Sequence, residues 1–130
     1  GNTRAATGER RVADSKAAVD EFLRRLPASS GLANDKIIMV VDGLRPNLYD
    51  VVSLEKAKKS YFSIVRDYFM LQSRALGFGV IDLQPIFIAT HQASGDRFEF
   101  PSDAHWNSAG HRIVAEAINN TGVFKSLFAQ

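Results

Sequence analysis

Ile37-Ile38-Met39-Val40-Val41-Asp42-Gly43 is the stretch that decides the fold. Its apolar residues, mostly β-branched, run on without a polar interruption. A half-exposed strand would alternate, so an unbroken run fits a strand buried on both faces, as in a parallel sheet. Asp42 then stands at the strand's carboxyl end, the edge where open α/β sheets bind ligands. Phe78-Gly79-Val80-Ile81-Asp82-Leu83 repeats the pattern, again with an Asp near its end. Between the two runs, Tyr61, Ile64, Val65, Tyr68, Phe69, Leu71 and Leu76 recur at helical intervals. One helix over Leu54–Leu76 is expected, stopped by Gly77, where a left-handed residue ends helices at little cost. Lys36–Leu83 is therefore one β-α-β unit, right-handed by default, and the fold class is α/β.

Upstream, Val12, Val19, Phe22, Leu23 and Leu26 predict a helix over Glu9–Leu26, halted by Pro27 and the Ser29-Ser30-Gly31 run. Arg10, Arg11, Arg24 and Arg25 read as its solvated face. Residues 1–8 are small and polar and are expected to be disordered. Gly43-Leu44-Arg45-Pro46-Asn47 is a loop on the ligand edge, closed by Tyr49. Asp42 and Arg45 form either a structural ion pair or, with Arg45 turned outward, a contact to an anionic substrate group. Ile86–Glu99 reads as a long connection with Ser94-Gly95-Asp96 as its turn and His91 solvated. Phe98 and Phe100 alternate with Arg97 and Glu99, which suits a short edge or bracing strand. Gly122 is expected to end the last helix, and Val123–Phe128 to form a terminal turn.

The chemistry concentrates in Phe100–Ile118, F-P-S-D-A-H-W-N-S-A-G-H-R-I-V-A-E-A-I. Asp103 and His105 are two apart, so in a turning segment both side chains can project to one side. A carboxylate there can orient an imidazole and stabilise its cation, the requirement for a general base. Asn107 is a good N-cap, and Ile113, Val114, Ala117 and Ile118 give the following helix a buried face. Trp106 by default is a core or contact aromatic, and His111 a satisfied histidine near the helix start. A metal reading would need Asp103, His105 and His111 to share one centre. Three mixed ligands in so short a turn rarely do.

D-A-H-W-N-S-A-G-H resembles the last conserved block of the SGNH (GDSL-like) hydrolases, in which a C-terminal Asp and His serve a distant Ser. The family usually spaces them Asp-x-x-His, whereas here Asp103-x-His105 is similar to the branch that includes alginate O-acetyltransferases. The resemblance is specific over Pro101–His111 and looser from Lys36 to Ile118. It implies a three-layer αβα sandwich of the flavodoxin-like type. It implies attack by a Ser on an ester or acyl carbonyl, hydrolytic or transferring, with Asp103 and His105 catalytic and no cofactor or metal. Trp106, Asn107, Arg45 and Asp42 are the candidates for contacting substrate, a small-molecule, carbohydrate or lipid ester. No Gly-Asp-Ser block follows the first strand, and Ser94-Gly95-Asp96 has those letters only in reverse. No G-x-S-x-G elbow exists. The expectation is a single α/β domain over 1–130 that forms the C-terminal part of a larger hydrolase, inactive alone, with an incomplete parallel sheet. Its exposed edge invites a homo-oligomer. The alternative is a non-catalytic SGNH-like domain that binds a partner or a glycan. Family habit places relatives in the periplasm or outside the cell.

Composition narrows the classes. At 130 residues the chain makes one domain with a modest core. A net charge of +2 with interspersed signs gives no basic stripe, so nucleic acid is not an expected partner. There is no cysteine, which excludes disulfides, thiolate metal sites and Cys nucleophiles. No stretch reaches the apolar length of a membrane span.

Overall fold

A computed structural model of the chain describes residues 8–45 and 47–128. The disorder expected for residues 1–8 therefore falls, but for Gly8, outside the described residues, as does Pro46. The chain is mostly helical around a two-stranded parallel sheet: α1 (Glu9–Ser30), β1 (Ile38–Val41), α2 (Val51–Ala57), α3 (Tyr61–Ala75), β2 (Gly79–Asp82), α4 (Leu83–Ser94), α5 (Ser108–Asn119) and α6 (Gly122–Phe128). β1 pairs with β2 in the register Ile38↔Gly79 to Val41↔Asp82. The α/β class and the parallel pairing agree with the sequence.

The unbroken apolar run of β1 has its physical reason in two cores. Ile38 and Val40 pack with Leu48, Ile81, Leu83, Phe87, Phe98, Ile113 and Val114. Ile37, Met39 and Val41 pack on the other side with Leu23, Phe69 and Phe78. Alternate side chains thus enter opposite cores, so a polar residue at either parity would be buried. Leu83 and Phe87 are wholly inaccessible to solvent, and each such side chain contributes roughly 1.5–3 kcal/mol. Phe87 stacks on Phe98 with centroids 4.9 Å apart. That stack ties α4 to the segment leading into the Asp103–His105 turn.

Several boundaries correct the sequence reading. α1 runs through Pro27 to Ser30. A proline in the last turn removes only its own N–H, and Gly31 N–H still bonds to the Pro27 carbonyl at 2.9 Å. The single helix expected over Leu54–Leu76 is two. Asp50 caps α2 by accepting from Ser53 N–H, and Ser60 caps a new start by accepting from Ser63 N–H. A capping serine inside a periodic stretch favours the break because its hydroxyl satisfies a free first-turn donor. Gly77 does terminate α3, at φ +84°. Gly77 N–H bonds to Arg74 O and Phe78 N–H to Ser73 O, both at 3.0 Å, the paired bonds of a Schellman ending.

The second strand is shorter than Phe78–Leu83, because Leu83 already belongs to α4. What reads as a long connection over Ile86–Glu99 is, up to Ser94, that helix. Asp82 caps it by accepting from Gln84 N–H. Pro85 sits in the first turn, where a missing N–H has no intrahelical partner to lose. Gly122 starts α6 instead of ending α5, and Val123–Phe128 is helical. His91 is half-buried, its ring 4.6 Å from that of Tyr49.

Charge ties the strand ends together at the carboxyl edge of the sheet. Arg66 of α3 donates Nε to the Asp42 carbonyl at 2.7 Å and Nη2 to the Asp82 carboxylate. Its side chain is 9% exposed. Removing one partner of such a pair costs roughly 3–5 kcal/mol, because the other charge stays buried.

Candidate functional site

The turn between the Phe98–Phe100 segment and α5 carries Asp103 and His105. Glu99 and Trp106 form an antiparallel bridge. Phe100 N–H donates to His105 O at 3.2 Å, and Asn107 N–H to Phe98 O at 3.0 Å. Residues 101–104 therefore project as a short hairpin tip. Asn107 locks its base. Its Oδ1 accepts from Gly110 N–H at 3.0 Å, capping α5, while Nδ2 donates to Arg97 O at 2.8 Å and Glu99 O at 3.1 Å. All the hydrogen-bonding capacity of this side chain but one lone pair is spent on holding the turn.

Within the tip, Asp103 Oδ1 accepts from the backbone N–H of His105 at 2.7 Å and stands 3.0 Å from His105 Nδ1. The backbone hydrogen bond from His105 first, then the ring contact, holds the Asp103 carboxyl below its ordinary range. Desolvation opposes this and loses. The His105 side chain is 89% exposed and that of Asp103 52%, so the far edge of the imidazole meets solvent.

Beside the tip lies a charge cluster, buried at Arg45 and Glu99, that the sequence did not predict as a unit. Arg45 and Asp42 form a fork, with Nε to Oδ1 at 3.1 Å and Nη2 to Oδ2 at 2.6 Å. This is the structural ion pair, one of the two readings open from sequence. Arg45 is only 6% exposed at its side chain, and its Nη1 has no hydrogen-bond partner. Glu99 Oε2 is 3.9 Å from it and already accepts from Tyr49 Oη at 2.6 Å. Tyr49 Oη in turn accepts from Phe98 N–H at 3.1 Å, and Arg97 donates to Glu99 Oε1 at 2.9 Å. Burial, and then the hydrogen bond to Glu99, push the Tyr49 phenol up to about 12. Burial pushes the Glu99 carboxyl up, but hydrogen bonds from Tyr49 and Arg97 and the neighbouring guanidiniums outweigh it and hold the group low.

A cleft of about 720 Å³ runs between this cluster and the tip, lined by Arg45, Arg97, Glu99, Phe100, Asp103 and Asn107 among others. The residues named from sequence divide around it. Arg45, Asp103 and Asn107 line it, whereas Asp42, His105 and Trp106 do not. Trp106 packs against the core with its ring edge-on to His111 at 5.6 Å. Its indole Nε1 is buried without a partner. Sequence reasoning missed Glu99 and Tyr49 as neighbours; the alternation of Arg97 and Glu99 with Phe98 and Phe100 was the available signal.

Among the described residues, no group of three His, Asp or Glu is placed to hold a metal ion. No helix among them is long and apolar enough to cross a membrane. No family model matches the chain, and no curated protein or solved structure matches it significantly.

Proposed function

We propose that this chain carries the acid–base half of an acyl-transfer site of the SGNH type, on a three-layer αβα scaffold whose sheet is incomplete. The observation that carries the reading is the Asp103–His105 contact, with Nδ1 at 3.0 Å from Oδ1 and the rest of the ring open to solvent. In that arrangement Asp103 fixes the tautomer with Nδ1–H toward the carboxylate. The opposite nitrogen is left to take a proton from a hydroxyl nucleophile and return it to the leaving group. Support also comes from the order strand, helix, strand, then an Asp-x-His turn entering a capped helix. The nucleophile and its oxyanion donors belong to groups that the sequence motifs of this chain do not supply. The substrate is an ester or acyl group, as hydrolase or transferase, and extracytoplasmic placement follows from the same resemblance.

A second reading is favoured by one observation: His105 stands outside the lined cleft. On that reading the domain binds a partner or a glycan without catalysis. The deciding experiment is turnover of an activated acetyl ester by the intact gene product, wild type against His105→Ala. A general base contributes roughly 10²–10⁴-fold. A loss of that order with unchanged melting supports the acyl-transfer reading. No wild-type turnover, or turnover indifferent to the substitution, overturns it.

A further inference from the structure

Along the outer edge of β2 runs a second groove, of about 760 Å³, floored by Ile81, Ile113 and Ala117 and walled by Arg112, Glu116 and Asn120 of α5. None of the residues of the Asp103–His105 tip lines it. Gly79 N–H bonds to Ile37 O, so Gly79 and Ile81 direct their backbone groups at β1. The N–H and C=O of Val80 and the N–H of Asp82 turn the other way, to the open edge. No third strand meets them among the described residues. Such a row of backbone groups is a template for an added strand.

The α5 wall states what that strand must carry. Arg112, Glu116 and Asn120 recur every four residues on one face of the helix, and their side chains make no hydrogen bond or ion pair among the described residues. Arg112 precedes Glu116, the order that gains less from pairing along a helix. The row from Arg112 to Asn120 is about 12 Å long, and the four residues of β2 extend about 13 Å, so wall and edge match in length. Residues two apart on one face of a strand stand about 6.6 Å apart, close to the rise of about 6 Å between Arg112 and Glu116. An acidic and a basic residue at that spacing would meet both charges, with their aliphatic stems over Ile113 and Ala117. A second copy's β2 would turn Gly79 and Ile81 to this face and bring a charge to neither.

We propose that the β2 edge takes an extended segment of another protein as a third strand, one that alternates apolar residues with an acidic and a basic residue two apart. The docking site rests on this groove alone and holds whether or not His105 moves protons.

The test is titration of isotope-labelled chain with blocked pentapeptides of three valines with two charged residues set between them. One peptide carries a glutamate and a lysine, one two glutamates and one two lysines. The mixed peptide should bind tightest, with saturable amide shifts at Val80, Asp82 and along Arg112–Asn120. Hydrogen exchange should slow at the amides of Val80 and Asp82 and stay unchanged at Ile38 and Val40. Methylating alternate peptide nitrogens should abolish binding for one parity and spare it for the other, since only one set faces β2. Arg112→Glu and Glu116→Arg act at exposed positions, so melting should persist. The first should turn the preference to the two-lysine peptide and the second to the two-glutamate peptide, each by about fivefold, the scale of one exposed ion pair. No saturation with the mixed peptide, equal affinity for all three, or unchanged exchange at Val80 and Asp82 would each overturn the proposal. So would protection of those two amides before any peptide is added, which would assign the edge to the chain itself or to a second copy.

Discussion

Asp103 Oδ1 serves both the backbone N–H and the ring of the same residue, His105, at 2.7 and 3.0 Å. One oxygen thus sets the path of the chain and the plane of the imidazole. Replacing Asp103 with Ala removes both restraints at a surface position, so the expected effect on unfolding free energy is small. If the pair transfers protons, the intact gene product should lose roughly 10²–10⁴-fold in ester turnover. Parallel loss of stability and activity would instead mark Asp103 as a structural turn residue.

The Asp103 carboxyl should titrate below its ordinary value of 3.8, chiefly through the His105 backbone hydrogen bond. The sign follows from linkage. A carboxyl depressed in the folded state stabilises above the unfolded pKa, and that contribution fades as pH falls through the folded pKa. Carboxyl-carbon chemical shifts followed through an acid titration give the midpoint directly. A midpoint at or above the ordinary value would mean that the hydrogen bond from His105 is not made in solution.

Tyr49 gives the opposite end of the pH scale. Its phenol is pushed up to about 12 by burial and by Glu99. A group raised in the folded state stabilises below the unfolded pKa, near 10, and the contribution is lost as pH rises toward 12. Alkaline unfolding should therefore steepen over that window, and Glu99→Gln should bring the Tyr49 midpoint back toward 10. Ring-carbon shifts of Tyr49 read this at one site. A midpoint unmoved by Glu99→Gln would disprove the contact.

Asn107 and Gly110 separate two contributions to the turn. Asn107→Ala removes an N-cap and two bonds to carbonyls, which should lower stability by about 2–3 kcal/mol. Asn107→Asp keeps the cap and loses the donors, so it should fall between Ala and wild type. In Gly110 the obstacle is steric, because a Cβ would stand 2.7 Å from Phe98 O. Gly110→Ala should therefore destabilise by about 1–3 kcal/mol, although Ala gains about 1 kcal/mol in helix propensity. Urea unfolding of the three variants checks both, and a stabilised Gly110→Ala would show that α5 packs less closely on Phe98.

What was legible from the sequence was local. Asn107 reads as a cap because the N–H its side chain accepts from, that of Gly110, lies three residues on, and Asp103 with His105 because two residues in a turn can hardly avoid each other. The burial of β1 on both faces reads from Ile37–Val41 alone. The misread elements are those where punctuation overrode periodicity. Pro85 suggests a loop, yet Leu83, Ile86, Phe87 and Thr90 follow helical spacing, and proline suits a first turn. Pro27 misleads in the same way. Ser60 hides a helix break inside an apolar pattern that continues across it. The Tyr49–Glu99 contact was out of reach, since its partners are 50 residues apart and meet only once α4 and the Phe98–Phe100 segment have packed.

The sheet itself supplies the last prediction. Gly79 N–H bonds to Ile37 O, so in a parallel ladder Met39 and Val41 also face β2 while Ile38 and Val40 turn their backbone groups away. On β2 the same alternation turns Val80 and Asp82 outward. The sheet has no third strand among the described residues, and β1 carries no charge or proline to discourage pairing. Two chains joined edge to edge through β1 about a two-fold axis would place the strands antiparallel and satisfy Ile38 and Val40 in both copies. Sedimentation velocity over a wide concentration range should then show a monomer giving way to a dimer. Hydrogen exchange should slow at the amides of Ile38 and Val40 as the dimer fills. A clean monomer at the highest concentration, or protection that ignores concentration, would leave β1 covered from within its own chain.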